Sequence, residues 1–124
     1  MTIDEYINYL KSFLDGQEGF FYELNEEGIF DKEGFHKYTN IIYDLSLIEL
    51  TEKEKYLSAI LIWEISLKLE RLLSYAKDSD DVLRISNLES EDFIQVSEIL
   101  FYTSNWFSYD KPMEKKNLII GSWF

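Results

Sequence analysis

From Thr51 to Lys77 the chain reads TEKEKYLSAILIWEISLKLERLLSYAK, with no Gly or Pro, and this run limits the possible folds more than any other stretch. Gly and Pro are the residues that most disfavour a helix interior, by ~1 and ~3 kcal/mol. Thr51 is followed three residues later by Glu54, the capping-box spacing in which hydroxyl and carboxylate each take a backbone N–H at the helix start. Asp78-Ser79-Asp80-Asp81 supplies side chains that compete for backbone hydrogen bonds and closes the run. The span predicts a helix over about residues 52–77, roughly 39 Å long at ~1.5 Å per residue.

Placed at ~100° per residue, Leu61, Ile62, Ile65, Leu69, Leu72, Leu73 and Ala76 form one apolar sector. Tyr56, Ile60, Trp63 and Leu67 form a second, nearly opposite. A helix apolar on two sides is expected to be buried on two sides. Glu64, Lys68 and Arg71 lie on a ridge between them, at i, i+4 and i+7, and are expected to form a solvated seam.

The flanking segments repeat the helical period. Thr2 and Glu5 have capping-box spacing, and Ile3, Tyr6, Ile7, Leu10, Phe13 and Leu14 recur as one helical face that ends near Asp15-Gly16. Residues 17–30 fit either a short helix, which we favour, or an extended segment before Gly28. Asp31 is placed as an N-cap for a helix running to about residue 47, with Gly34 a weak point near its start. The short connection at 47–50 favours antiparallel packing of this helix beside the central one. A further helix begins near Ser86–Glu89 or Ser90–Asp92 and carries Phe93, Val96, Ile99, Leu100, Thr103, Trp106 and Phe107 to about residue 108. Pro112 suits the first turn of a last short helix ended by Gly121, and the apolar close of the chain at Trp123-Phe124 is expected to dock. No alternation of strand type persists and no repeat of 20–50 residues appears. The expected fold is therefore all-α: one domain, residues 1–124, a bundle of five to six helices around the central one.

The 124 residues suffice for a sizeable core without staples. With no Cys there is no disulfide, thiolate nucleophile or Cys-based metal site. The N-terminus lacks the pattern of a signal peptide and no run is apolar enough to span a bilayer, so the expected location is the cytoplasm, with no membrane partner. Glycine-rich phosphate loops, HExxH and GxSxG are absent, and His36 is the one histidine. It sits one residue off its helix's apolar stripe, where a surface or half-buried role is the ordinary one, so no catalytic residue, metal or cofactor is assigned and the chain is not read as an enzyme. Asp78-Ser79-Asp80-Asp81 has the carboxylate density of a calcium loop but lacks the required Gly and distal Glu. Glu23, Glu26 and Glu27 fit a cation site no better than a solvated helix surface.

Charge carries more information. Twenty-four acidic residues against 12 basic leave a net charge of −12. Residues 1–50 hold 11 acidic and 3 basic residues, 51–77 hold 4 and 5, 78–110 hold 8 and 1, and 111–124 hold 1 and 3. A field of this sign repels nucleic acid and attracts basic partners. Solubility alone accounts for acidic outer helices. The sharper reading is a partner-binding face made by Asp78, Asp80, Asp81, Glu89, Glu91 and Asp92, with Tyr102, Trp106 and Tyr109 (and Trp123) as aromatic anchors, and a secondary acidic patch of Glu23, Glu26, Glu27, Asp31 and Glu33.

In size, acidity, aromatic content and the acidic 78–92 segment, the chain resembles the immunity proteins of bacterial toxin systems such as contact-dependent growth inhibition. The resemblance rests on type, without a shared motif. It implies a protein that binds and blocks a cognate toxin, commonly a basic nuclease, by covering the substrate cleft with carboxylates in place of phosphates. A phage-encoded inhibitor or nucleic-acid mimic acting on a host defence protein uses the same surface. A helical enzyme or small-ligand module built around Glu64, Lys68 and Arg71 is the third reading, and it requires those charges to turn inward.

Overall fold

The computed structural model describes residues 1–77 (Lys77 without its side chain), 84–105, 113–120 and 123. Among the described residues five α-helices follow in order: α1 Ile3–Leu14, α2 Phe20–Tyr22, α3 Lys32–Ser46, α4 Glu52–Lys77 and α5 Ser90–Ser104. A π-helical turn, Glu23–Glu27, continues α2, and a 3-10 turn covers Lys115–Leu118. No strand occurs among the described residues, so the fold is the expected all-α bundle.

The helix starts are set by local chemistry. Thr2 and Glu5 close a reciprocal capping box, both bonds 3.2 Å, and Thr51 and Glu54 close another at 2.9 and 3.2 Å. The two backbone and hydroxyl donors of Thr2 hold the Glu5 carboxyl below its ordinary range. Asp31 caps α3 by accepting the Gly34 N–H at 2.9 Å. Gly34 suits this cap, because a Cβ there would come within 2.5 Å of the Asp31 carboxylate. The poor helix former near the start of α3 thus makes room for the group that starts it. The favoured short helix in 17–30 is present as α2 and its π turn, ended by Gly28 at φ +66°.

The core is dominated by rings. Phe13 stacks on Tyr38 with centroids 4.6 Å apart and meets Phe20 at 5.0 Å; Phe20 meets Phe30 at 5.1 Å, and Phe30 meets Trp123 at 5.5 Å. Such pairs contribute about 0.5–1.5 kcal/mol each beyond their buried area. Leu10, Leu24, Ile42, Leu45, Ile62, Ile65 and Leu69 fill the remaining space with no exposed surface. The Tyr38 hydroxyl lies beside Ser66 Oγ, and burial pushes this phenol above its usual range.

Two long-range clamps close the molecule. Asn87 accepts the Phe30 N–H at 2.8 Å and donates to the Phe30 carbonyl at 2.7 Å, so one side-chain amide pairs both backbone groups of one residue. Beside it, Ser86 donates its N–H to the Gly28 carbonyl at 2.9 Å, and a Cβ on Gly28 would run into the Arg84 carbonyl. The second clamp is Trp123, half-buried between Phe30 and Phe35, its indole N–H donated to Asp92 Oδ1 at 3.0 Å. Trp123 docks as expected, and Phe124 lies outside the described residues.

α4 differs from expectation in what covers it. Its principal neighbours are α1 and α5, whereas α3 packs on α1 and the 3-10 turn. Leu61, Ile62, Ile65, Ser66, Leu69 and Leu73, all buried, fall within one arc of roughly 140° at ~100° per residue. The opposite sector is open: Tyr56 is 67%, Trp63 56% and Leu67 39% exposed. Burial on two sides is therefore corrected to burial on one, because both neighbours flank the same sector.

Candidate functional site

The open side of α4 continues onto α5. The stripe on α5 that packs inward is Val96, Ile99, Leu100 and Thr103; Ile94 and Phe101, seven residues apart and hence on one helical face, stand 56% and 71% exposed. Between the helices runs an open groove of about 400 Å³, lined by Trp63, Ser66, Leu67 and Glu70 of α4 and by Leu100, Phe101, Ser104 and Asn105 next to them in space. The helices run antiparallel along it: Glu70 meets Ser97 at one end, the hydroxyl donated at 3.4 Å, and Trp63 lies near Asn105 at the other. Ser104 donates its hydroxyl to the Leu100 carbonyl and Asn105 its amide to the Phe101 carbonyl, which holds this wall in place.

Electrostatically the groove is one-sided. Glu70 is the one charged residue among the eight in its lining. α5 adds exposed Glu91 and Glu98 and contains no Lys or Arg. Three of the five positive residues of α4, Lys53, Lys68 and Arg71, fall at ~100° per residue on the flank away from α5, whereas Lys55, exposed near the start of the helix, does not. Lys68 donates to the Leu14 carbonyl at the end of α1, at 3.1 Å, and sits 4.2 Å from the centre of the Phe21 ring. A cation there complements the partial negative charge of a helix C-terminus.

The residues singled out from sequence distribute as follows. Glu64 and Arg71 are exposed and Lys68 is turned onto α1, so the three do not converge on a pocket. Glu89 and Glu91 are exposed at the start of α5. Asp92 is not part of an acidic surface: it is 7% exposed, its Oδ2 accepting the Glu89 N–H at 2.8 Å and its Oδ1 the Trp123 indole. The cause is its position three residues past the N-cap, from which a carboxylate reaches back to the cap's N–H. Tyr102 is half-buried, its hydroxyl accepting the Glu114 N–H at 2.9 Å. Asp78, Asp80, Asp81, Trp106 and Tyr109 lie outside the described residues.

In the secondary patch Glu26, Glu27 and Glu33 are exposed, Glu23 is half-buried, and Asp31 is held in the α3 cap. His36 is half-buried, its Nε2 3.2 Å from the Asn40 amide on the next turn. A second depression, about 450 Å³, lies between Gln95, Glu98 and Tyr102 of α5 and the turn carrying Lys116 and Asn117. Lys116 is paired there with Glu114 at 3.2 Å.

Sequence reading missed the groove because it took Trp63 and Leu67 as buried and passed over Phe101. The available signal was that Ile94 and Phe101 fall off the inward stripe of α5 while remaining large and apolar. No family model, curated protein or solved structure matches this chain. Among the described residues no helix is long and apolar enough to cross a membrane.

Proposed function

We propose that this chain is a cytoplasmic binding protein that occludes a basic protein partner, of the kind represented by bacterial immunity proteins, with a nuclease domain of a toxin as the partner. The observation that carries the reading is the open apolar strip of Trp63, Leu67 and Phe101, with Glu70 beside it, on a molecule of net charge −12. Large aromatic residues dominate the energetics of protein interfaces, and a soluble chain gains nothing by keeping them in water. A nuclease must be positive where it holds phosphates, so an acidic protein is steered to that cleft and held by charge-assisted hydrogen bonds. The same field disfavours nucleic acid as a direct ligand.

The decisive experiment co-expresses the chain with the protein encoded immediately upstream of its gene, which on this reading carries a toxin nuclease domain. Restored growth, and a one-to-one complex of the purified proteins at moderate salt, are the expected results. Unprotected cells together with no complex by calorimetry would overturn the reading.

A further inference from the structure

We propose that the groove between α4 and α5 receives an amphipathic helix of the partner, apolar along one face and basic along the edge that lies over α5. The proposal rests on the reading that the partner is basic, and it adds the binding surface and the form of the bound segment.

Three observations lead to it. The groove is mainly apolar, with Trp63, Leu67 and Phe101 presenting large side chains that stand exposed among the described residues. Both walls are α-helical, with backbone groups bonded within the helix except for carbonyls in the last turn of α5, and no strand edge exists among the described residues. A segment lying dry against such walls finds no backbone partner and must satisfy its own N–H and C=O groups, which a helix does. The charge is complementary on one side only: Glu70 lies in the groove with a serine hydroxyl as its bonded neighbour, exposed Glu91 and Glu98 lie beyond Phe101 on the outer flank of α5, and α5 offers no cation. A basic edge on the incoming helix meets carboxylates; an acidic edge meets like charge.

The probe is a fluorescent helical peptide of about 18 residues, ~27 Å at ~1.5 Å per residue, with Leu and Phe at i, i+4, i+7 and i+11 and Lys or Arg beside them. Its controls are the same peptide with Glu replacing the basic residues and a scrambled basic peptide of identical composition. The expected result is saturable binding of the basic amphipathic peptide, weakened about tenfold or more by Trp63→Ala and by Phe101→Ala, as for interface hot spots. Glu70→Gln with Glu98→Gln should weaken it several-fold at low salt and little at ~1 M salt, where screening reaches ~3 Å. All four positions are at least partly exposed, and circular dichroism and the urea midpoint verify that each variant stays folded.

Equal binding of the scrambled peptide, insensitive to Trp63→Ala and Phe101→Ala, overturns the groove as the site and leaves a partner held by charge alone. Equal binding of the acidic peptide, or no binding of the basic one, overturns the proposal while the co-expression experiment decides the partner's identity separately. A concentration-dependent dimer in sedimentation, abolished by Phe101→Ala, assigns the groove to a second copy and also overturns it.

Discussion

The two faces of α4 are both apolar and have opposite fates. On one, Ile62, Ile65 and Leu69 have no exposed surface; on the other, Tyr56, Trp63 and Leu67 stand in solvent. Both are rows of large apolar side chains on a single 26-residue helix. What separates them is that α1 and α5 flank the first and leave the second open. Hydrophobicity identifies surface that gains from burial; it does not say whether the burying neighbour belongs to the same chain.

The contrast can be broken most directly by truncation. Leu69→Ala should lower stability by about 2–5 kcal/mol, through lost transfer energy and the cavity left behind. Trp63→Ala removes a larger side chain yet should change stability by less than about 0.5 kcal/mol, since it lies on the open side. Urea unfolding of the two variants decides the matter, and a cost for Trp63→Ala comparable to that for Leu69→Ala would mean that the outer face is covered by the chain itself.

A second test applies the same contrast to carboxylates. Asp92→Ala leaves the Glu89 N–H and the buried edge of the Trp123 indole without an acceptor and should cost about 1–3 kcal/mol. Glu91→Ala, one residue away and exposed, should stay within about 0.5 kcal/mol. The accompanying loss of Trp123 docking should appear as a red shift in tryptophan emission for the first variant alone. Asn87→Ala, which frees both backbone groups of Phe30, should cost a similar ~1–3 kcal/mol and increase hydrogen exchange at residues 28–30.

The smallest expected effect is the pH dependence of the first capping box. The Glu5 carboxyl is held below its ordinary range, so it binds its proton less readily folded than unfolded. Its contribution is present above the unfolded value and fades as pH falls through the folded one. The wild type should therefore lose slightly more stability than Glu5→Gln between neutral and acid pH, and parallel curves from paired thermal melts would remove the box as a contributor.

Much of this was legible in advance. The caps at Thr2, Asp31 and Thr51, the stop near Gly16 and the span of α4 follow from contacts within one turn, so a few neighbouring residues specify them. The helix in 17–30 was harder, because its π turn ends where Gly28 passes under Arg84, some 56 residues on. From sequence Asp92 reads as surface, because its neighbours Glu89 and Glu91 are; the indole it accepts from lies 31 positions away.

Sequence alone therefore determined the all-α class, the caps and the strong negative charge, since each follows from local chemistry or from simple summation. The tertiary structure decided which apolar face of α4 is inside, that Asp92 is internal and that Trp63, Leu67 and Phe101 meet along one groove. Those outcomes depend on which distant helix arrives at a surface, and periodicity within a helix carries no information about its neighbours.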